Sequence, residues 1–328
     1  MNSFVFALNA VAPIILMAAA GYLLKRIGIM PIPFANAANK LVFRLLLPSM
    51  LFLNVYNIES FAGVGLGYVI YAVLALVAVF IVAIPLVMLV TKPYRLRRSL
   101  LQSTFRSNNA LIGIPLAQSL FGAQGVAAAS LLSAIIIPMF NILAVISLSL
   151  YKQGNEKTSV KKILVGIVKN PLVDAIFCGI FALLFRALFV RTDITFRLSD
   201  ITPLFSVLQS FSSAATPIAL LVLGAQFEFS AVASLKKEII FGVAMRVAIV
   251  PTVVIGIAYI FFCDVFNGAH FATLVAAFAT PVAVSSVPMA QEMDSDVTLA
   301  GQLVVWTTLL SSVSLFLFAF VLKSVGIF

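Results

Sequence analysis

The sequence predicts an all-α polytopic membrane protein, with ten transmembrane helices in a 5+5 inverted repeat and two proline-broken crossover helices at spans 4 and 9. Three observations carry this prediction. Hydrophobic residues make up 62% of the 328 and charged residues 10%, with a mean hydropathy of +1.16, far outside the usage of soluble domains. Apolar runs long enough to cross roughly 30 Å of hydrocarbon recur ten times along the chain. The two halves also carry matching prolines, glycines and amides in the same order.

The first run, residues 5–24, is followed by Lys25 and Arg26 and preceded by no positive charge. It reads as a retained helix with its N-terminus outside, and not as a cleaved signal. The next runs cover residues 37–57, 66–90, 99–121 and 126–150, of which the fourth is polar and interrupted. Residues 151–170 contain Gly154, Asn155, Lys152, Lys157, Lys161, Lys162 and Lys169 and read as a cytoplasmic linker. Five further runs follow at 171–190, 203–226, 239–263, 269–291 and 299–322. The expected organisation is therefore a first five-helix repeat in 1–150, the linker in 151–170 and a second repeat in 171–328.

Orientation follows from the cations. The connections after spans 1, 3, 5 and 7 hold Lys25, Arg26, Lys40, Arg44, Lys92, Arg95, Arg97, Arg98, the linker lysines, Lys236 and Lys237, whereas the other side receives only Arg186, Arg191, Arg197 and Lys323. The positive-inside rule puts both termini on the non-cytoplasmic side of what reads as the cell's inner (plasma) membrane. The net charge of +10 is mostly this orientation signal, so no nucleic-acid partner is implied. Cys178 and Cys263 sit in separate apolar segments without metal spacing and read as packing residues. No cofactor or metal is expected.

Sliding one half over the other places IPLAQ, residues 114–118, onto VPMAQ, residues 287–291. The same shift sets Ala128 and Leu131 against Gly301 and Val304. Spans 1 and 6 share a proline and a glycine at equal spacing, Pro13 with Gly21 and Pro171 with Gly179, and spans 2 and 7 carry Pro48 and Pro217. Because each half has an odd number of spans, the second must be inverted, as in many secondary transporters.

The repeat points to a site. Pro115 denies a partner to the carbonyl of Leu111 beside Gly113, and in the matched span Pro281 and Pro288 free the carbonyls of Ala277 and Val284. Unpaired backbone at bilayer depth is tolerated only where it is buried in protein or lines a cavity. Two discontinuous helices meeting near the midplane would offer half-helix N-termini to an anion such as a carboxylate. The expected substrate-binding set is Asn108, Asn109, Gly113, Pro115, Gln118, Thr280, Pro281, Ser285, Ser286, Pro288 and Gln291. Against this, single prolines commonly only kink membrane helices, and Asn108 and Asn109 could instead be packing glue.

Two cations lie inside spans, Arg106 and Arg246. Arg106 follows Arg98 by ~12 Å at helical rise. Each could snorkel back to the cytoplasmic interface, or could raise the potential of a vestibule and attract anions. Asp174, three residues past Pro171, reads as an interfacial partner for nearby lysines, with proton coupling as the alternative. Glu292, Asp294 and Asp296 read as a solvated end and His270 as interfacial.

The stretches STFRSNN leading into GIPLAQSLFG, LVFRLLLPSMLF, ATPIALLVLGAQF and ATPVAVSSVPMAQ together resemble the auxin efflux carrier family, over essentially the whole chain. The resemblance implies a scaffold of spans 1, 2, 6 and 7, commonly forming a homodimer, and a mobile part of spans 3–5 and 8–10 that moves as an elevator. The family's crossover positions fall on Asn109, Pro115, Pro281 and Pro288. The short central connection resembles the bacterial-type members, so small organic acids such as malate are implied in place of an indole acetate. A sodium-coupled organic anion symporter of the bile-acid type is the alternative, since it resembles this pattern in having paired broken helices. It would draw on Asn108, Asn109 and Gln118 with Thr280, Ser285, Ser286 and Gln291, but no carboxylate stands at either break. An antiporter needing titratable carboxylates at the crossing is set aside. One His, one deep Asp and two separated Cys do not build an intramembrane enzyme.

Overall fold

A computed structural model describes residues 3–57, 66–150, 170–192 and 196–328. Most of the predicted linker, 151–169, lies outside the described residues. Every regular element among them is helical. The helices are α1 (Ser3–Arg26), α2 (Ile32–Leu41), α3 (Leu47–Tyr56), α4 (Gly67–Val90), α5 (Tyr94–Phe105), α6 (Ile114–Leu150), α7 (Pro171–Arg191), α8 (Thr202–Gln226), the short α9 (Ala231–Ser234), α10 (Lys236–Ala244), α11 (Val250–Phe262), α12 (Gly268–Phe278), α13 (Ser286–Glu292) and α14 (Val297–Ser324). Among the described residues, seven helices are long and apolar enough to cross a membrane: Ile32–Tyr56, Gly67–Val90, Ile114–Leu150, Pro171–Phe189, Thr202–Gln226, Lys236–Phe262 and Val297–Ser324.

Predicted spans 1, 4 and 9 fall on the remaining elements. Span 1 is α1. Span 4 consists of α5, a non-helical break at Arg106–Asn108 and the start of α6, while span 9 is α12, a break over 279–285 and α13. Spans 4 and 5 are separated only by Gly122, whose φ of 55° turns the chain inside the otherwise continuous α6. A β-carbon is strained at that φ, so glycine suits the position.

Prolines shape three spans in one way. π-helical turns occupy Val42–Leu46, Asn109–Gly113 and Met245–Ile249, and each ends two residues before a proline, Pro48, Pro115 or Pro251. A proline removes one i→i−4 bond and its ring crowds that carbonyl, and widening the preceding turn relieves the clash. The carbonyl that Pro251 leaves free, that of Val247, accepts from the Ser314 hydroxyl on α14.

Small residues set the closest crossings. A β-carbon on Gly224 of α8 would stand 1.8 Å from the Ala18 carbonyl oxygen, and one on Gly21 of α1 would stand 2.1 Å from that of Leu221. The backbones of α1 and α8 therefore touch, as small-residue interfaces in membranes allow. α3 packs against α7 and α8, with Gly179 against Val55 and Phe52. A second group joins α5 to α4, α6 and α14, and α12 to α6 and α11. At its centre α12 is buried on all sides from Phe271 to Phe278, whereas α4 turns Ile70, Leu74, Ile81 and Leu89 outward.

Among the single residues, the two cysteines depart from expectation and the others are placed as follows. Cys178 and Cys263 are exposed on the outer surface and are not packing residues. Glu292, Asp294 and Asp296 are engaged at a helix end: Glu292 lies 3.9 Å from Arg44, Asp294 pairs with Arg95 at 3.2 Å, and the Asp296 carboxylate caps α14 by accepting from the Leu299 N–H at 2.7 Å. His270 joins the N-terminal cap of α12 with Asn267 and stacks on Tyr68 at 4.3 Å. Asp174 is exposed in the first turn of α7.

Candidate functional site

The two breaks lie against each other. Ser107 and Val282 form an isolated antiparallel bridge, and the Asn108 N–H donates to the Pro281 carbonyl at 2.8 Å. Backbone groups at such a place must all find partners. The Val282 N–H donates to the Thr307 hydroxyl of α14 at 3.1 Å. The Ala277 carbonyl, which Pro281 deprives of its helical donor, accepts from Arg246 Nη2 at 3.1 Å. Arg246 Nε and Nη1 also donate to the carbonyls of Thr280 at 2.8 Å and Phe105 at 3.0 Å. Pro288 behaves differently: the Val284 carbonyl accepts from the Val287 N–H at 3.2 Å, so it is not left free.

Neither arginine snorkels. Arg246 is 0% exposed and Arg106 3%. Each turns inward to hydrogen-bond partners. Arg106 directs Nη2 to Asn141 Oδ1 and to Ser285 Oγ, both at 2.8 Å, and Nη1 to the Met289 sulfur. All three are neutral. No ion pair to Arg106 occurs among the described residues.

Arg106 stands in the wall of a cavity of about 70 Å³. One side is formed by Leu47, Met50, Leu51 and Asn54 of α3, Leu172 of α7, and Thr216 and Ala219 of α8. The other side is formed by Arg106, Ser107 and Asn108 of the first break, Ile137, Phe140 and Asn141 of α6, and Ala283, Val284 and Ser285 of the second break. The volume holds several waters but falls well short of the ~300 Å³ at which small-molecule pockets begin.

Of the residues expected at the site, Asn108 and Ser285 line this cavity together with Arg106. The Asn108 side-chain amide nitrogen has no partner. Asn109 turns away, donating from Nδ2 to Ser133 Oγ at 2.7 Å. Gly113 packs against α12, where a β-carbon would stand 2.9 Å from the Ala276 carbonyl oxygen. Thr280 and Pro281 supply backbone carbonyls to the break, and the Thr280 hydroxyl donates to Ala276 O at 2.8 Å. Ser286 and Pro288 are buried in the first turn of α13. Pro115 and Gln118 lie on α6 outside the cavity lining, Gln118 exposed. Gln291 lies on α13 in a ring of amides: Gln226 Nε2 donates to Asn36 Oδ1 and to Gln291 Oε1, each at 2.9 Å, and Gln291 Nε2 donates to Asn36 Oδ1 at 3.0 Å. At seven residues, α13 is too short to develop much of a dipole. The strongest positive charge at the cavity is therefore Arg106 and not that helix end.

Asn54, Asn141 and Thr216 were not singled out from the sequence. Each is a polar residue in an apolar span, and Asn141 and Thr216 lie within a turn of a mid-span proline, Pro138 and Pro217. That combination is the signal that could have found those two.

The profile of the family described as Membrane transport protein matches residues 6–319. The chain belongs to this family, the auxin efflux carriers. A protein of Methanothermobacter thermautotrophicus described as an uncharacterized transporter is 23% identical over 335 residues, covering 97% of this chain and 99% of the relative. In this member of the auxin efflux carrier family, membrane transport is the activity to be explained.

Proposed function

We propose that the protein is a secondary carrier of small organic anions, such as malate or other carboxylates, that binds its substrate at the paired breaks. The observation that carries this reading is Arg106, a buried cation in a cavity wall whose described partners are all neutral. A buried guanidinium without a carboxylate is costly, and a substrate carboxylate supplies the missing charge. Asn108, with its unpartnered amide nitrogen, is a second donor for the same group. The apolar wall of Leu47, Met50 and Phe140 accepts a small carbon skeleton, and Asn54 and Thr216 stand ready for a further polar group.

On this reading the chain has ten spans in two inverted repeats, with spans 1, 2, 6 and 7 as scaffold and spans 3–5 and 8–10 as the moving part. The cavity lies between those sets, and its small volume requires the walls to part for a substrate to enter. Spans 4 and 9 are tied at one end by Arg95 with Asp294, by Arg98 Nη1 donating to the Asp294 carbonyl at 3.1 Å and by Ser99 with Ser295 at 2.8 Å, which suits elevator-like movement as one body. Both termini lie on the non-cytoplasmic side of the inner membrane, and two scaffolds meet in a homodimer.

Sodium coupling is the second reading. It is favoured by buried oxygens without partners along the breaks, Ser107 Oγ, Asn109 Oδ1 and Ser286 Oγ, since a sodium ion needs several oxygen ligands. Charge movement in proteoliposomes, with mono- and dicarboxylates, with and without sodium and at two pH values, tests both. Carboxylate currents or radiolabelled carboxylate uptake indifferent to sodium support the first reading, transport that requires sodium supports the second, and neither current nor labelled uptake under any condition refutes both.

A further inference from the structure

Arg246 has no place in the cavity lining, yet it is among the largest fully buried side chains. Its three described hydrogen bonds all go to backbone carbonyls at the C-terminal ends of the two interrupted helices, Phe105 at the end of α5 and Ala277 and Thr280 at the end of α12. These helices have 12 and 11 residues, long enough for each end to carry about −0.5 of an elementary charge. Two such ends brought together present about −1 within the protein, close to Arg106, which directly follows Phe105.

We infer that Arg246 is the positioning residue of the paired breaks: one guanidinium ties the C-terminal ends of both half-helices together and cancels their combined dipole, leaving the charge of Arg106 available to an anion. This rests on the reading of Arg106 as the anion-binding group. The fork geometry of arginine lets one side chain reach three carbonyls from two chain segments at once. Because Arg246 sits in the π-helical turn between α10 and α11, it also couples that span to the two broken helices, so the three must travel together. Without its charge, the paired carbonyl ends pull against a carboxylate at Arg106. One unit charge some ~10 Å away at an effective dielectric near 20 changes anion affinity on the order of tenfold.

The test compares Arg246→Lys with Arg246→Gln in proteoliposomes, with malate and benzoate as probes. The lysine variant keeps the charge and is expected to hold KM within about threefold, while the glutamine variant raises KM on the order of tenfold. A loss of stability alone lowers the amount of active carrier and leaves KM unchanged. A second readout needs no transport: in a background lacking Cys178 and Cys263, Ser107→Cys with Val282→Cys places two thiols on the bridged pair, and oxidative cross-linking reports whether the breaks remain paired. Cross-linking is expected to persist with lysine and to fall with glutamine. Unchanged KM and cross-linking in the glutamine variant overturn the inference, and equal KM increases in both variants overturn the charge-balancing part. Should the glutamine variant not insert, a tenfold KM increase in the lysine variant is enough to refute that part. If the unsubstituted carrier moves neither probe, the anion reading fails for them, and cross-linking alone still decides whether Arg246 holds the breaks together.

Discussion

Replacing Arg106 by glutamine separates binding from stability. The arginine is 3% exposed and its described hydrogen bonds go to Asn141, Ser285 and Met289, none of them charged. In the empty carrier its charge is therefore buried without compensation, which costs stability. Glutamine keeps an amide donor for the Asn141 or Ser285 oxygen and removes the charge, so the melting temperature of the empty protein is expected to hold or rise. A carboxylate bound to Arg106 makes charge-assisted hydrogen bonds, each contributing about 1.5–3 kcal/mol. Losing one such bond weakens binding about 10- to 150-fold. Purified protein in detergent gives the melting temperature with and without carboxylate, and uptake into proteoliposomes gives KM. The expected result is a higher KM, a smaller carboxylate-induced thermal shift and an undiminished melting temperature for the empty protein. An unchanged KM refutes the role of Arg106, as does a fall in stability with the carboxylate shift intact, since that pattern marks a structural arginine.

Three other substitutions discriminate between parts of the same structure. Pro281→Ala restores an N–H that competes with Arg246 for the Ala277 carbonyl, so uptake is expected to fall sharply, whereas Pro288→Ala, where Val284 O already accepts from Val287, is expected to be the milder change. Comparison of initial uptake rates at equal protein in the membrane checks this order, and the reverse order refutes it. Gly224→Ala drives a methyl to within 1.8 Å of the Ala18 carbonyl oxygen, which forces α1 and α8 apart. A destabilisation of at least about 1–3 kcal/mol is expected, read as a lower melting temperature. Gln291→Ala opens the amide ring with Asn36 and Gln226 and leaves the cavity lining untouched. Two hydrogen bonds are lost, each worth about 0.5–1.5 kcal/mol, so the turnover rate is expected to change by about fivefold or more with KM held, and a change confined to KM would return Gln291 to the binding set.

How much could be read in advance depended on whether the information is local. Apolar runs and prolines report directly on the chain that carries them, so the helices, the widened turn before Pro115 and the interruption after Phe278 beside Pro281 were legible, whereas the break at 106–108 precedes the turn that Pro115 widens and holds no proline of its own. The match of IPLAQ with VPMAQ directed attention to these two segments, but the residues that meet, Ser107 and Val282, lie outside the matched stretches. The targets of Arg246 were not legible, because a backbone carbonyl has no residue signature. Phe105 and Ala277 are far from Arg246 in sequence and become its neighbours only once α5, α10 and α12 pack. Asn109 and Gln291 show the opposite failure. Both are amides in the right segments, but Ser133 on α6 and Asn36 on α2 engage them first, and a residue's type does not tell which neighbour will.

The two buried arginines look alike in the sequence and differ in what surrounds them. Arg246 meets only carbonyl oxygens at helix ends, where partial negative charges converge, so its charge is balanced by the protein itself. Arg106 meets an amide oxygen, a hydroxyl and a thioether, which satisfy its donors and leave its charge unopposed. A guanidinium at bilayer depth persists only if something repays its desolvation. For Arg246 the benefit is structural and constant, the closure of backbone that two broken helices leave open. Arg106 has no comparable set of carbonyls among the described residues, and on the proposed reading its counter-charge comes from the transported solute. On that reading, the difference is what fits the cavity to an anion, and only one of the two buried positive charges would be offered to a substrate.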